Sequence, residues 1–208
     1  TGRALRCLYE GEYMASTYAG DKLRAAFERI MALPPGASDN LARVARVVDR
    51  CGSSGHVLDV GSGLGVFPAR MREAGWEVTA LDPDPRAVAH LRDRVGVTAV
   101  EGDFMEVAFP EPFDLGALNQ VLEHVEDPAT MLARAAALAP LVYVEVPDAE
   151  GAAAAGPGRE EFFIEHLHVF SAASLCLMAD RAGCRVRSVE RLVEPSTKFT
   201  LIAFLEPR

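Results

Sequence analysis

The densest chemical signal in this 208-residue sequence is a glycine run that follows a short apolar stretch, Val57-Leu58-Asp59-Val60-Gly61-Ser62-Gly63-Leu64-Gly65. Glycines at a strand-to-helix turn let the backbone come close to a ligand and expose the first amides of the helix. The spacing discriminates between ligands. A dinucleotide loop of the form G-x-G-x-x-G needs glycine at position 66, where this chain has Val66; its third glycine is Gly65. Asp59, two residues before Gly61, is a carboxylate that suits a cationic group better than a pyrophosphate. Asp82 ends the next predicted strand, where one carboxylate can accept from both hydroxyls of a ribose. Asp103 and Asn119 follow two further predicted strands, at the carboxyl edge where such sheets bind ligands.

A second set of residues could move protons. Glu123-His124 lies just past Asn119, and the simplest role for that pair is to fix its loop. His166 and His168 precede a helix cap at Ser171; on an extended segment they point the same way. They could be two zinc ligands, but no third or fourth ligand is identifiable, so no metal is expected. Glu165-His166 carries a sharper expectation. An imidazole titrates near neutrality, and His166 is the candidate general base, with Glu165 as its leading orienting neighbour. Adjacent residues on a strand face opposite ways, so the two cooperate only across a turn or bulge, and His168 or His124 could otherwise take the role.

These residues need elements to hold them. Asp21 to Leu33 and a second stretch beginning at Asp39 or Asn40 have helical apolar spacing. From Ser53 onward strands and helices alternate. Strands are predicted at His56–Val60, Trp76–Leu81, Val97–Val100, Phe113–Leu118 and Leu141–Val146, with helices after Gly65, from Pro85 and from Asp127-Pro128. Such alternation gives parallel pairing through right-handed crossovers, hence a doubly wound α/β sheet. Residues 150–158, rich in Ala and Gly, are expected to form a loop or mobile lid over the ligand edge. Ser171 caps a helix to Ala182, and Phe170 with Leu175 forms a hydrophobic staple. Val186–Val193 and Phe199–Leu205 close the chain as an antiparallel hairpin whose turn can lean over the site.

Composition narrows the function classes. The net charge is -9, from 30 acidic and 21 basic residues, which argues against a duplex-binding protein. No apolar run is long enough for a membrane span. The four cysteines are far apart, with no CxxC, and read as free thiols of a reducing cytoplasm. Three tyrosines, Tyr9, Tyr13 and Tyr18, punctuate an N-terminal arm that packs on the domain or walls a substrate site.

Taken together, Asp59-Val-Gly-Ser-Gly-Leu-Gly65, Asp82 ending strand two, Gly102-Asp103-Phe104 after strand three and Phe113-Asp114 opening strand four resemble the ordered motifs of class I S-adenosylmethionine-dependent methyltransferases. Asn119-Gln-Val-Leu-Glu-His-Val-Glu-Asp-Pro128 resembles the corresponding segment of small-molecule enzymes such as those of ubiquinone biosynthesis. The arm around Tyr13 and the run from Phe163 to Ser171 look like deoxysugar C-methyltransferases. The resemblance implies a Rossmann-like, mostly parallel seven-stranded sheet with an antiparallel C-terminal hairpin. It implies an arm and covering helices over residues 1–52 and a cofactor-binding domain over residues 53–208. It implies S-adenosylmethionine as cofactor and a small-molecule acceptor, with no nucleic acid or membrane partner. By the same resemblance Gly61, Ser62 and Gly63 approach the methionine part, and Asp59 and Asn119 lie near its ammonium. Asp82, with Pro83 beside it, takes the ribose; Asp103 holds the adenine amino group and Phe104 flanks the ring. Two rivals, a nicotinamide-dependent oxidoreductase and a non-catalytic nucleoside-binding module, differ in the ligand bound or in the absence of turnover. Whether oxygen, nitrogen or carbon receives the methyl is not legible from these residues.

Overall fold

The computed structural model describes residues 21–163 and 165–208. The expectations for Cys7 and the three N-terminal tyrosines lie outside the described residues.

Two amphipathic helices open the described chain, α1 (Asp21–Met31) and α2 (Asp39–Cys51). The Ser38 side chain caps α2 by accepting from the Leu41 amide. Then come β1 (His56–Val60), α3 (Val66–Glu73), β2 (Glu77–Asp82), α4 (Pro85–His90) with a wider π turn over Leu91–Val95, and β3 (Thr98–Glu101). β4 (Leu115–Asn119), a 3-10 turn at Leu122–His124, α5 (Pro128–Leu138) and β5 (Val142–Pro147) follow. The chain closes with α6 (Ala149–Ala155), a 3-10 turn at Glu160–Phe162, α7 (Ala172–Arg181), β6 (Cys184–Val193) and β7 (Phe199–Pro207).

Among the described residues the sheet has seven strands in the order β3-β2-β1-β4-β5-β7-β6. The first five are parallel, and β7 enters antiparallel between β5 and β6. Alternate side chains feed opposite faces. Leu58, Val60, Leu118, Val142 and Val144 pack under α5 and α7, while Val57, Leu115, Ala117 and Tyr143 pack under α2 and α3. Strand order reverses at β1/β4, so the carboxyl ends of these two strands splay apart into the crevice where such folds bind ligands.

The third glycine of the loop has a packing reason. Gly65 sits at φ +73, and a Cβ there would come within 2.7 Å of Leu91 Cδ2. Only glycine lets the π turn pack against the start of α3.

One segment differs from its sequence expectation. Residues 149–155 form a helix rather than a loop, because Asp148 caps it by accepting from the Glu150 amide and alanine is the best helix former. Ala152 is fully buried, and Arg191 Nε holds the Asp148 carboxylate at 2.8 Å. Gly156, Pro157 and Gly158 make up the stretch that follows the helix. No helix among the described residues is long and apolar enough to cross a membrane.

Candidate active site

The glycine loop turns on backbone hydrogen bonds from its first two amides. Gly61 N and Ser62 N both donate to the Leu81 carbonyl, at 2.8 and 3.1 Å. Gly61 has φ +71 and is exposed, and a Cβ there would meet Val121 Cγ2 at 2.9 Å. Ser62 Oγ donates to the Asp59 carbonyl at 3.0 Å and locks the turn.

Asp82 ends β2 beneath this loop. Its two carboxylate oxygens accept from Gly63 N at 2.8 Å and Asp84 N at 2.9 Å. A carboxylate has about four acceptor positions, so further donors can still be received. Burial raises its pKa above the ordinary carboxylate value, against the pull of those two amides. Pro83 is exposed beside it.

At the crevice Asn119 Nδ2 donates to Asp59 Oδ1 at 2.9 Å. That contact fixes the amide's orientation and leaves Asn119 Oδ1 buried with no hydrogen-bond partner among the described residues. Asp59 is almost wholly buried, and burial pushes its carboxyl up to about 7. A buried lone carbonyl and a buried acid together fit a cationic donor.

On the far side of the loop, Asp103 is exposed and accepts from the Met105 amide at 2.8 Å. Phe104 packs into the main core, with Arg134 over its ring at 5.3 Å, so Met105 is the side chain displayed at the surface.

Beside Gly61 opens a cavity of about 410 Å³, walled by segments far apart in sequence. Gln120, Glu123 and His124 come from the turn after β4, Glu161, Phe163, Glu165 and His166 from the stretch after α6, and Lys198, Phe199 and Thr200 from the start of β7. Gln120 adopts φ +56, an uncommon conformation for a residue with a Cβ. Glu123 is fully buried. Its main-chain carbonyl docks the incoming segment by accepting from Leu167 N at 2.7 Å and His168 N at 3.2 Å. Both oxygens of its carboxylate lack a hydrogen-bond partner among the described residues, and burial pushes its pKa up to about 8.

The imidazoles are oriented by carbonyls. His166 Nδ1 faces the Glu161 carbonyl at 2.9 Å, and His124 Nδ1 faces the Glu165 carbonyl at 3.0 Å. The group that orients His166 is therefore the Glu161 main chain, while the backbone of Glu165 serves His124. The two rings meet edge to face with centroids 4.9 Å apart. Burial lowers the His124 pKa. His168 points elsewhere, its Nε2 on the Val125 carbonyl at 2.9 Å. The sequence-predicted pair His166/His168 thus does not converge; Glu123, His124 and His166 do.

Behind this wall lies a buried ion network absent from the sequence expectations. Arg43 on α2 binds the fully buried Glu145 of β5 through Nε at 2.7 Å and through Nη2. Tyr143 Oη adds a hydrogen bond to Glu145 at 2.9 Å, and Arg46 bridges Glu145 at 3.6 Å to Glu194 of the terminal turn at 2.6 Å. Arg43 opposes the burial cost and holds the Glu145 pKa low. A charged residue within the otherwise apolar strand Val142–Pro147 was the visible signal for it.

The fold agrees with the comparisons. The family described as a methyltransferase domain matches residues 27–189, and the chain belongs to that family. It is 36% identical over 101 residues to the ubiquinone biosynthesis O-methyltransferase of Pseudomonas paraeruginosa, a match covering 45% of this chain and 44% of that enzyme. The chain thus spans less than half the length of the curated relatives it matches. Among solved structures, the 1,6-didemethyltoxoflavin-N1-methyltransferase of Burkholderia thailandensis, bound to 1,6-didemethyltoxoflavin and S-adenosylhomocysteine, superposes with TM-score 0.66 at 24% identity, over 94% of this chain and 89% of that one. The glycopeptide N-methyltransferase MtfA superposes with TM-score 0.67 at 18% identity, over 83% of this chain and 91% of that one. These likenesses establish the seven-stranded methyltransferase fold.

Proposed function

We propose that the chain transfers a methyl group from S-adenosylmethionine to a small molecule held in the cavity beside Gly61. The observation that carries this reading is the Asn119 amide: its oxygen is buried without a partner, beside Asp59 and across from the glycine loop. In this reading Asn119 Oδ1 and Asp59 receive the methionine ammonium, and Gly61, Ser62 and Gly63 present backbone to the methionine chain. Asp82 receives the ribose hydroxyls with Pro83 alongside, and Asp103 the adenine amino group. Phe104 supports that wall from within the core. When bound, the cofactor supplies an electrophilic methyl carbon on a sulfonium.

The protein's task is then alignment and proton removal. Alignment alone can lower a barrier by roughly 7–11 kcal/mol in well-oriented systems. His166 acts as general base. A carbonyl only accepts, so the Glu161 contact places the ring proton on Nδ1 and leaves the Nε2 lone pair for the acceptor's proton. Glu165 contributes through its carbonyl, which holds His124 against the same cavity. The acidic chain and the cavity of about 410 Å³ support a small-molecule acceptor over nucleic acid, and the free Cys51, Cys176 and Cys184 suit a cytoplasmic enzyme.

The test is single-turnover methyl transfer with labelled S-adenosylmethionine against a small-molecule acceptor panel. His166→Asn should leave cofactor affinity intact and slow transfer by about 10²–10⁴-fold. Near-wild-type rates across the pH range in that variant would remove His166 as base.

A further inference from the structure

The segment between α6 and α7 carries His166 between two tethers. The downstream tether is the Glu123 main chain, whose carbonyl accepts from Leu167 N and His168 N. The upstream tether is a cluster around Glu161, a buried carboxylate. Arg159 grips it with a two-pronged fork, Nε to Oε2 at 3.0 Å and Nη2 to Oε1 at 2.7 Å. Phe199 N, at the start of β7, donates to the same carboxylate at 2.9 Å. Arg159 Nη2 also donates to the Thr197 carbonyl at 2.9 Å, and its guanidinium lies 4.9 Å from the Phe199 ring centroid. Burial works to raise the Glu161 pKa, yet Arg159 and the Phe199 amide hold it below the ordinary carboxylate value, so the clamp is charged.

Little else fixes this turn. A Cβ at Gly156 or Gly158 would meet nothing within 4 Å, and the rings of Phe162 and Phe163 are exposed rather than packed. Lys198 reaches Glu160 across the same gap at 3.4 Å, but both side chains are nearly half exposed, where ion pairs contribute little. The receiving end, by contrast, is strained. Thr197 adopts φ +73, a costly conformation for a β-branched residue, which persists only where the surroundings over-determine it. They do so here. Thr197 N donates to the Glu194 carbonyl at 2.7 Å, Ser196 donates to Asp39 of α2 through N at 2.9 Å and Oγ at 2.5 Å, and Arg46 of α2 pairs Glu194 at 2.6 Å. The strained carbonyl is the one that meets Arg159.

We propose that Arg159 and the Glu161 side chain are positioning residues: by clamping the Glu160–Phe162 turn to the start of β7, they hold the Glu161 carbonyl on His166 Nδ1 and keep His166 Nε2 available as proton acceptor. The proposal rests on the methyl-transfer reading above for the purpose of His166. Glu161 acts twice. Its side chain is the anchor, and its main chain is the 2.9 Å contact that orients the ring. A carbonyl only accepts, so while it stays in place the ring proton sits on Nδ1. With the clamp released, the segment is held from its downstream end alone and the ring can take the other tautomer. A proton on Nε2 turns that nitrogen into a donor, which cannot receive the acceptor's proton.

The test is long-range proton–nitrogen NMR on the full chain with isotopically labelled histidine and added S-adenosylhomocysteine, at about pH 8, where an ordinary imidazole is neutral. The His166 signals are those lost in His166→Asn. The wild type should show His166 in the Nδ1–H form. Arg159→Ala should move the tautomer ratio toward Nε2–H by about three- to tenfold, the worth of one orienting hydrogen bond. Arg159→Lys, which keeps a charged donor without the fork, should fall between the two. Glu161→Gln removes the charge at nearly constant shape and should shift the ratio the same way; it decides the matter if Arg159→Ala fails to fold. A wild-type His166 in the Nε2–H form, or a ratio unchanged in both Arg159→Ala and Glu161→Gln, would overturn the proposal and leave the clamp a purely structural contact. A tautomer that follows the clamp in a chain that binds no S-adenosylhomocysteine would instead strike the methyl-transfer reading.

Discussion

Glu145 and Glu123 are both fully buried, and the two regions around them treat a carboxylate in opposite ways. At the β5 end, Glu145 is held by Arg43, Tyr143 and Arg46, and its pKa is low. In the cavity, Glu123 has no hydrogen-bond partner at either oxygen among the described residues, and burial pushes its pKa up to about 8. The first arrangement is complete within the protein. It ties α2 and the turn after β6 to the sheet, behind the crevice. The second is incomplete without a ligand. Buried acids divide on this criterion into those that hold a fold together and those that await an occupant.

The largest expected effect comes from breaking the complete site. Arg43→Met leaves Glu145 buried without its main counterion and should cost about 3–5 kcal/mol of stability. Urea unfolding measures it, and a loss below about 1 kcal/mol would show that Arg46 and Tyr143 suffice.

The next contrast is in pH dependence, where the two glutamates have opposite signs. Glu145's folded pKa lies below its ordinary 4.5, so its stabilisation is present above that value and is lost as the pH falls through the folded pKa. Glu123's lies above, at about 8, so the folded state binds the extra proton and stability falls as pH rises from 4.5 through about 8. Glu123 feels the like charge of Glu145 and the opposite charge of Lys198, and the imidazoles of His124 and His166 stand beside Glu123. Asp59, raised to about 7, adds to the decline, and His124, lowered by burial, opposes it only as the pH rises from its lowered folded pKa to its ordinary 6.5. The difference between wild type and Glu123→Gln isolates the one group. Melting temperatures of the unliganded variant should fall less between pH 5 and about 8. Parallel curves would mean that Glu123 is not the group titrating.

A smaller effect is expected at the cavity rim. Gln120 adopts φ +56 while its amide donates to the Glu145 carbonyl at 2.8 Å, so the strain is held in place by β5. Gln120→Gly should relieve it and leave the fold within about 1 kcal/mol of wild type or slightly more stable. A clear destabilisation in denaturant would show that the Gln120 side chain's contact with Glu145 outweighs the strain.

The same contrast explains what the sequence made legible. The glycine loop, Asp59, Asp82 and Asn119 sit at strand ends, and strand ends follow from local pattern; the alternation of strands and helices likewise prescribed the parallel sheet. The cavity depends instead on three segments that meet only in space. Nothing local to Glu165-His166 indicates that the carbonyl of Glu161 orients His166, or that Glu123 faces it from the turn after β4. The small side chains of residues 150–158 point to a loop, yet Asp148 ahead of an alanine run is also a helix start, and residues 149–155 are helical. Phe104 shows the converse limit: a residue type at a familiar position turned into the core, where Arg134 covers it.

The central claim is that the β1/β4 crevice binds the methyl donor, and calorimetric titration of the purified chain with S-adenosylhomocysteine tests it most directly. Binding with 1:1 stoichiometry is expected, weakened by roughly 1–3 kcal/mol in Asp82→Ala through loss of charge-assisted hydrogen bonds, and unchanged in Glu123→Gln, which lies on the acceptor side. No heat of binding in the wild type, or equal affinity in Asp82→Ala, would contradict the account.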